Sequence, residues 1–504
     1  MRHRGIVTLL AAALLLAGCV GPSLDAAARE DAPEGDGVFS GTSVVAGKHS
    51  TKAHRLLERG PFTDLLQEVT LLPSALDGAD IQIYVMRPDT DARVPVIADA
   101  GPYFPPLEGV DLSGADMIVD FVSRGFAFAL VSVRGTGNSG GCMDLMGHAE
   151  RHDIDQAITW LGTQPWSNGN VGMFGGSYDG STQWEAASTG NPHLKTIAPI
   201  AAIPDLFSFM HRNGTAMAWT PAQFGAIYWA FYGPVLYNPT NGRSVDNTAG
   251  QLVCPESTKG MAVSVPSALV TSERDPLGWW AARDWRDDVL ANYTGSIYLI
   301  HGFNDVTVEP HTAYPFVNEL EAKGLVVKHT LGPWGHELPW RADSLEILAR
   351  WYDRWLNDNA SADIGPKVQV MDNLGLWRDE RAWPPADATP TTFHLAAGGA
   401  LAREPGGAAE PLPVAPLVPV HDHTLLSRFN AFWKLYEDPA YEACPACPTF
   451  ETEPLAEELR FAGSPKVHVT VTPTGPGGHV TAILYAVDAD GKAQRVGMGM
   501  MDLR

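Results

Sequence analysis

The chain has 504 residues, too many for one simple core, and at about 150 residues per domain it accommodates roughly two to four. Apolar residues make up 45% and charged residues 18%, with no long biased tract, so disorder is expected only at ends and linkers. The formal charge of -23 argues against nucleic acid or anionic lipid as a partner and says little about a small substrate.

The first residues, MRHRGIVTLLAAALLLAGC, combine a basic start at Arg2 and Arg4, an apolar stretch from Ile6 to Ala17 and small residues before Cys19. This reads as a secretion signal. Leu16-Ala17-Gly18-Cys19 resembles the lipobox of prokaryotic lipoproteins, which implies cleavage before Cys19, lipid on its thiol, and a protein exported and anchored at the outer face of the cell membrane. The apolar stretch is too short for the roughly 20 residues of a spanning helix. Removing residues 1–18 takes away two arginines and leaves the chain more acidic. Residues 19–50, rich in Ala, Gly, Asp and Glu and without hydrophobic periodicity, read as a tether.

From Thr51 onward, strand-like runs alternate with helical ones. Ile81–Arg87, Val94–Asp99, Ala127–Val133, Val171–Phe174, Ile297–Ile300 and Val326–Leu331 read as strands, and Asp153–Leu161 and Thr312–Lys323 as helices. That alternation predicts a mostly parallel sheet covered on both faces. Residues 205–290 break the rhythm with Trp219, Tyr228, Trp229, Phe231, Tyr232, Trp279, Trp280 and Trp285, and are expected to form a helical cap over a site. A helix over Ser344–Leu356 is followed by a region rich in Gly and Pro. Short alternating runs at Pro390–Ala396, Val467–Pro473 and Val480–Val487 predict an all-β sandwich or jelly roll, which at this size is expected to be truncated.

Four cysteines follow Cys19. An even count in an exported chain permits two disulfides; a local Cys444–Cys447 bond and a Cys142–Cys254 bridge are the expected pairing, which the sequence leaves open.

Two glycine-rich turns follow strands. Gly135-Thr136-Gly137-Asn138-Ser139-Gly140 fits G-x-G-x-x-G, but Gly141 to Asp144 prolong the loop where a dinucleotide fingerprint would open a helix at once. Gly175-Gly176-Ser177-Tyr178-Asp179 matches G-x-S-x-G except that Asp179 stands at the last position and Gly180 comes one place later. Its setting between a strand and a helix is that of a nucleophile elbow, in which small neighbours relieve crowding and the helix N-terminus favours developing negative charge. A serine hydroxyl needs a base, and the base an orienting acid. Asp305 after the strand Ile297–Ile300 and His336 after the strand ending at Leu331 supply them, in the chain order of α/β-hydrolases. His301 and His311 are the rival histidines, read as structural.

These residues resemble a family, the X-prolyl dipeptidyl-peptidases together with cocaine esterase and the α-amino acid ester hydrolases. The resemblance rests on Gly101-Pro102-Tyr103, Arg134-Gly135-Thr136-Gly137 with Ser139-Gly140, Gly175-Gly176-Ser177-Tyr178 with Gly180, Gly302-Phe303-Asn304-Asp305 and Gly332-Pro333-Trp334-Gly335-His336. Arg350-Trp351-Tyr352-Asp353, Trp377-Arg378 and Trp383-Pro384-Pro385 then look like the family's passage into its jelly roll. The resemblance implies an α/β-hydrolase domain at 51–204 and 291–362, a helical cap at 205–290 and a jelly-roll domain at 363–504. It implies a triad of Ser177, Asp305 and His336, and an oxyanion hole from the Tyr103 hydroxyl and the Tyr178 N–H. It makes Arg134–Gly141 a structural loop, and it implies acyl-enzyme chemistry without metal or organic cofactor.

The substrate stays open between peptide and ester. A dipeptidyl-peptidase must hold a free α-amino group, for which Asp205, Glu273 and Asp275 are the candidate anchors; an esterase needs only an apolar acyl pocket. The peptidase is preferred because His301-Gly302-Phe303-Asn304-Asp305 is nearer to that branch. A reading of another class is a surface binding protein with a degenerate hydrolase domain, against which a complete triad argues.

Overall fold

The computed structural model describes residues 60–104, 107, 112, 115–216, 254–270, 274–305, 308–336, 343–406, 448–472, 479–491 and 493–503. Two units divide between Gly365 and Pro366. The expected signal, the tether, Cys19, Glu273, Cys444, Cys447 and the aromatics at 219–232 lie outside the described residues.

The first unit begins with strands β1 (Leu65–Pro73), β2 (Asp80–Pro88) and β3 (Val94–Gly101). Helix α1 (Asp116–Ser123), β4 (Ala127–Ser132), α2 (His148–Thr163), β5 (Ser167–Gly176), α3 (Tyr178–Thr189) and β6 (Leu194–Ile200) follow. After the short helix α4 (Leu206–Met210), the two-residue strands β7 (His211–Arg212) and β8 (Thr215–Ala216) and helices α5 (Pro255–Val270) and α6 (Arg286–Asn292), the alternation resumes with β9 (Ser296–Gly302), α7 (Ala313–Ala322), β10 (Val327–Gly332) and α8 (Ser344–Leu356).

The main strands of this unit lie in the order β1-β2-β4-β3-β5-β6-β9-β10. β1 and β2 run antiparallel to their neighbours, and from β4 to β10 every pairing is parallel. β3, β4 and β9 are buried along their whole length, as strands covered on both faces must be. Phe128, Leu130, Phe174, Tyr298 and Ile300 join α1 and α8 in one core cluster, while the intervening Ala129, Met173 and Leu299 are buried on the other face. α8 presents Ile347, Leu348, Trp351, Tyr352 and Leu356 to the core, and the Tyr352 hydroxyl donates to the Met173 carbonyl at 2.9 Å. This is an α/β-hydrolase fold.

The expected strands and helices of this unit are present: β2, β3, β5, β9 and α2 run longer than their apolar runs, β4 and α7 are slightly shorter, β10 is shifted by one residue and α8 matches. β1 and β6 were not legible: β1 pairs on one side only and leaves half its residues exposed, and β6 carries Lys195, Thr196 and Pro199. In the described part of 205–290, helices α4, α5 and α6 and the 3-10 turn Ala281–Arg283 are joined by turns, with the β7–β8 hairpin beside them. Trp279, Trp280 and Trp285 are buried within it, with the Trp279 and Trp280 rings 4.6 Å apart. They form the insertion's own core.

In the second unit the described strands form antiparallel hairpins: β11 (Val368–Met371) with β12 (Trp377–Glu380), β13 (His394–Ala396) with β14 (Ala400–Ala402), and β15 (His479–Val487) with β16 (Ala493–Asp502). The strand expected at Val467–Pro473 does not form over residues 467–472. Its alternating Val467, Val469 and Val471 are all exposed, so no sheet face takes up the apolar side of the pattern. No helix among the described residues is long and apolar enough to cross a membrane.

Candidate active site

Parallel strands deliver their C-terminal ends to one edge of the sheet, where ligands of open α/β sheets bind. Tyr103 follows β3, Ser177 follows β5, Asp305 follows β9 and His336 follows β10, so all four sequence-predicted side chains leave the sheet at that edge.

Ser177 is half-buried and holds φ 61°, ψ -118°, a backbone region that costs a non-glycine residue on the order of 1–3 kcal/mol. Its N–H donates to the Ile200 carbonyl at 2.9 Å, and its own carbonyl accepts from the Ser181 N–H at 3.0 Å, so the turn is pinned on both sides. The glycines around it answer the question of the displaced motif. A Cβ on Gly180 would lie 2.7 Å from the Ile200 carbonyl oxygen, so the helix needs glycine there to approach β6. Asp179 instead points its carboxyl at Gly101, where a Cβ would lie 1.5 Å from Asp179 Oδ1. The bare glycine that ends β3 leaves room for the aspartate two residues past Ser177.

His336 Nδ1–H donates to Asp305 Oδ2 at 2.7 Å, and Asp305 Oδ1 accepts from the Val308 N–H at 2.7 Å. The two loops are laced together by Phe303 N–H to the Gly332 carbonyl at 2.7 Å and Asn304 N–H to the Trp334 carbonyl at 3.1 Å. His301 is fully buried, its Nε2–H donates to the Val308 carbonyl at 2.7 Å, and burial holds its imidazole below the ordinary value. His311 is pushed down to about 3, by burial first and the Arg212 charge second. Both rival histidines are therefore structural and neutral.

The Tyr178 N–H lies 3.4 Å from the Tyr103 hydroxyl, which brings the two expected oxyanion donors together beside Ser177. The Tyr178 ring is held from behind: its hydroxyl donates to Glu150 Oε2 at 2.9 Å and accepts from the Met146 N–H at 3.0 Å. Burial pushes the Glu150 carboxyl up to about 8. Arg283, in the 3-10 turn Ala281–Arg283, donates to the carbonyls of Leu145 at 2.8 Å and Asp144 at 2.7 Å. A disulfide joins Cys142, at the start of this loop, to Cys254, next to α5.

Sequence reasoning missed Glu150, Arg283 and the buried Asp99. Glu150 offered a signal, since it lies four residues before Ile154 on the stripe that α2 buries. The loop Arg134–Gly141 spends amides on backbone carbonyls, Gly135 N–H to Gly140 O at 2.9 Å within the loop and Gly140 N–H to Asp80 O of β2 at 2.6 Å, while Arg134 Nε donates to Asp153 Oδ2 at 2.8 Å. It is a structural loop. Asp205 accepts from the Ser208 N–H at 2.6 Å as the cap of α4, and Asp275 accepts from the Ala281 N–H at 2.8 Å, so of the three expected amine anchors the two described ones each make a local backbone bond.

A strained serine at a strand-to-helix turn, with a carboxylate-bound histidine at the same sheet edge, is the arrangement of the α/β serine hydrolases. The chain belongs to the X-Pro dipeptidyl-peptidase (S15) family, whose model matches residues 77–337, and the model for the X-Pro dipeptidyl-peptidase C-terminal non-catalytic domain matches residues 359–504. It is an enzyme, a serine hydrolase. It is 26% identical to a putative Xaa-Pro dipeptidyl-peptidase of Streptomyces avermitilis over 97% of this chain and 70% of the relative. It is 25% identical to the cocaine esterase of Rhodococcus sp. over 85% and 81%. Among solved structures it resembles an α-amino acid ester hydrolase at TM-score 0.64 and 20% identity, covering 92% of this chain and 84% of that one. A Thaumarchaeota aminopeptidase gives TM-score 0.58 at 18% identity, covering 95% and 85%.

Proposed function

We propose that the enzyme releases Xaa-Pro dipeptides from peptide N-termini by an acyl-enzyme mechanism. Ser177 Oγ attacks the scissile carbonyl while His336 Nε2 takes its proton. Asp305 holds the ring through Nδ1–H and stabilises the imidazolium. The Tyr103 hydroxyl and Tyr178 N–H receive the oxyanion. His336 then gives the proton to the leaving amine, and water, activated by the same imidazole, hydrolyses the acyl-enzyme. The observation that supports this most is the 2.7 Å bond from His336 to Asp305 at the sheet edge where the strained Ser177 lies, in a chain of the S15 family.

The engagement of Asp205 and Asp275 in helix and turn capping favours a second reading, an esterase or α-amino acid ester hydrolase that needs no amine anchor from them. Hydrolysis of an Ala-Pro anilide against a simple aryl ester separates the two: fast ester cleavage with no anilide turnover would replace the first reading by the second. A fluorophosphonate probe should label the enzyme and spare Ser177→Ala.

Export and lipidation at Cys19 are also proposed, from Leu16-Ala17-Gly18-Cys19 and from a Cys142–Cys254 disulfide of the kind that persists in oxidising compartments. Incorporation of labelled palmitate that Cys19→Ala does not abolish would refute it.

A further inference from the structure

Two carboxyl groups meet directly beneath the nucleophile. Asp99, near the end of β3, and Asp179, in the first turn of α3, are both buried, and their side chains meet at Gly175, close enough for one carboxyl to share a proton with the other. Asp99 Oδ1 and Asp179 Oδ1 find no other hydrogen-bond partner. They occupy the space left by two glycines. A Cβ on Gly175 would stand 2.5 Å from Asp99 Oδ1 and 2.7 Å from Asp179 Cβ, and one on Gly101 would overlap the Asp179 carboxyl. Gly175 lies two residues before Ser177, and Asp179 two residues after it.

Two buried anions in contact repel each other strongly, and a carboxyl that keeps its proton can donate to its neighbour instead. Among the described residues, the charged and titratable groups that face the pair include no cation. Glu150, from α2, is a carboxyl itself raised to about 8 that adds like charge only where it ionises, and Tyr352, from α8, is a neutral phenol raised well above its ordinary value. Burial drives Asp99 up to about 8, and burial together with Asp99 drives Asp179 well above the usual carboxylate range. The pair therefore retains a proton at neutral pH.

We propose that Asp99 and Asp179 are positioning residues which hold the Ser177 turn in its strained conformation through a shared proton, and that loss of this proton at alkaline pH disables the turn. Neither touches substrate. The shared hydrogen bond ties the end of β3, which leads to Tyr103, to the helix turn that carries Ser177 and the Tyr178 N–H, so it fixes the nucleophile relative to the oxyanion donors. Ionisation replaces that tie with repulsion in a buried space where no cation among the described residues relieves it.

The inference rests on Ser177 being the nucleophile, and the test separates the two. The second-order rate of labelling by a fluorophosphonate is measured from pH 6 to pH 10 on the full chain, for wild type, Asp99→Asn/Asp179→Asn and Asp179→Ala. The paired amides are isosteric, bond to each other and do not titrate. Wild type is expected to lose at least about fivefold between its maximum and pH 10. The double amide should stay within about twofold over the same range, and Asp179→Ala should be slower at every pH. A double amide that repeats the wild-type alkaline fall, or an Asp179→Ala protein that reacts like wild type, overturns the proposal. If Asp179→Ala does not fold, by circular dichroism, the comparison of wild type with the double amide decides alone. Wild type that is not labelled at any pH sinks the nucleophile and the pair together; labelled wild type with an unaltered double amide sinks the pair only.

Discussion

The Trp334 carbonyl oxygen stands 2.2 Å from where a Cβ on Gly302 would be. The loop that carries Asp305 and the loop that carries His336 are packed backbone on backbone, and the glycine is the only residue type that permits it. Gly302→Ala is expected to cost about 1–3 kcal/mol of stability, the range of overpacked sites. It should also lower kcat, because the loops part where Asp305 meets His336. Denaturant melts and kcat on the same preparation check both; a variant with wild-type stability and kcat would mean that the loops yield without cost.

Asp305→Asn retains the shape of the carboxylate but offers His336 an amide. With the wrong tautomer favoured at the ring, kcat should fall on the order of 10⁴-fold with folding intact. Steady-state kinetics with a matched thermal melt measure it, and a loss below tenfold would remove Asp305 from the proposed role.

Tyr103→Phe deletes one proposed oxyanion donor and leaves the ring. Loss of such a donor costs about 10²–10³ in kcat, and KM should change little because the bond strengthens only as charge develops on the oxygen. A change confined to KM would identify Tyr103 as a binding residue instead.

The pair Cys142 and Cys254 closes a sequence separation of 112 residues. Cys142→Ser/Cys254→Ser should lose about 2–5 kcal/mol. Wild type in a strong reductant should melt at the same lowered temperature, and a reductant-insensitive wild type would show that the bridge does not contribute.

Glu150 gives stability a pH slope of defined sign. Its carboxyl rises from 4.5 to about 8 on folding, so the folded state binds the proton more tightly. Its contribution is full below the unfolded value, shrinks as pH rises, and is gone above about 8. Melting temperature should therefore fall from pH 6 to pH 9, and less steeply in Glu150→Gln, which still accepts from Tyr178. Equal slopes in the two proteins would assign the effect to other groups.

Much of the fold was legible because the parallel strands are continuous apolar runs and the helices between them have a clear period. β1 and β6 escaped because one lies at an edge and the other interrupts its run with Lys195, Thr196 and Pro199. At the site, Ser177, Asp305 and His336 could be read because each follows a strand at a glycine-marked turn, and Asp179 looked like a defect in its motif. What no local pattern discloses is a partnership across distant segments. Asp99 with Asp179, Glu150 with Tyr178, and Arg283 with the carbonyls of Asp144 and Leu145 arise only when the sheet order brings those stretches together.

The same separation governs when the enzyme becomes active during synthesis. Tyr103 and Tyr178 are 75 residues apart, and His336 follows Asp305 by 31. Contacts of such range close late. On the proposed roles, a growing chain that has emerged only through β5 and α3 carries a serine with no base. The reactive hydroxyl is inert until β9 and β10 have docked, so a partly folded molecule cannot act on the peptides around it.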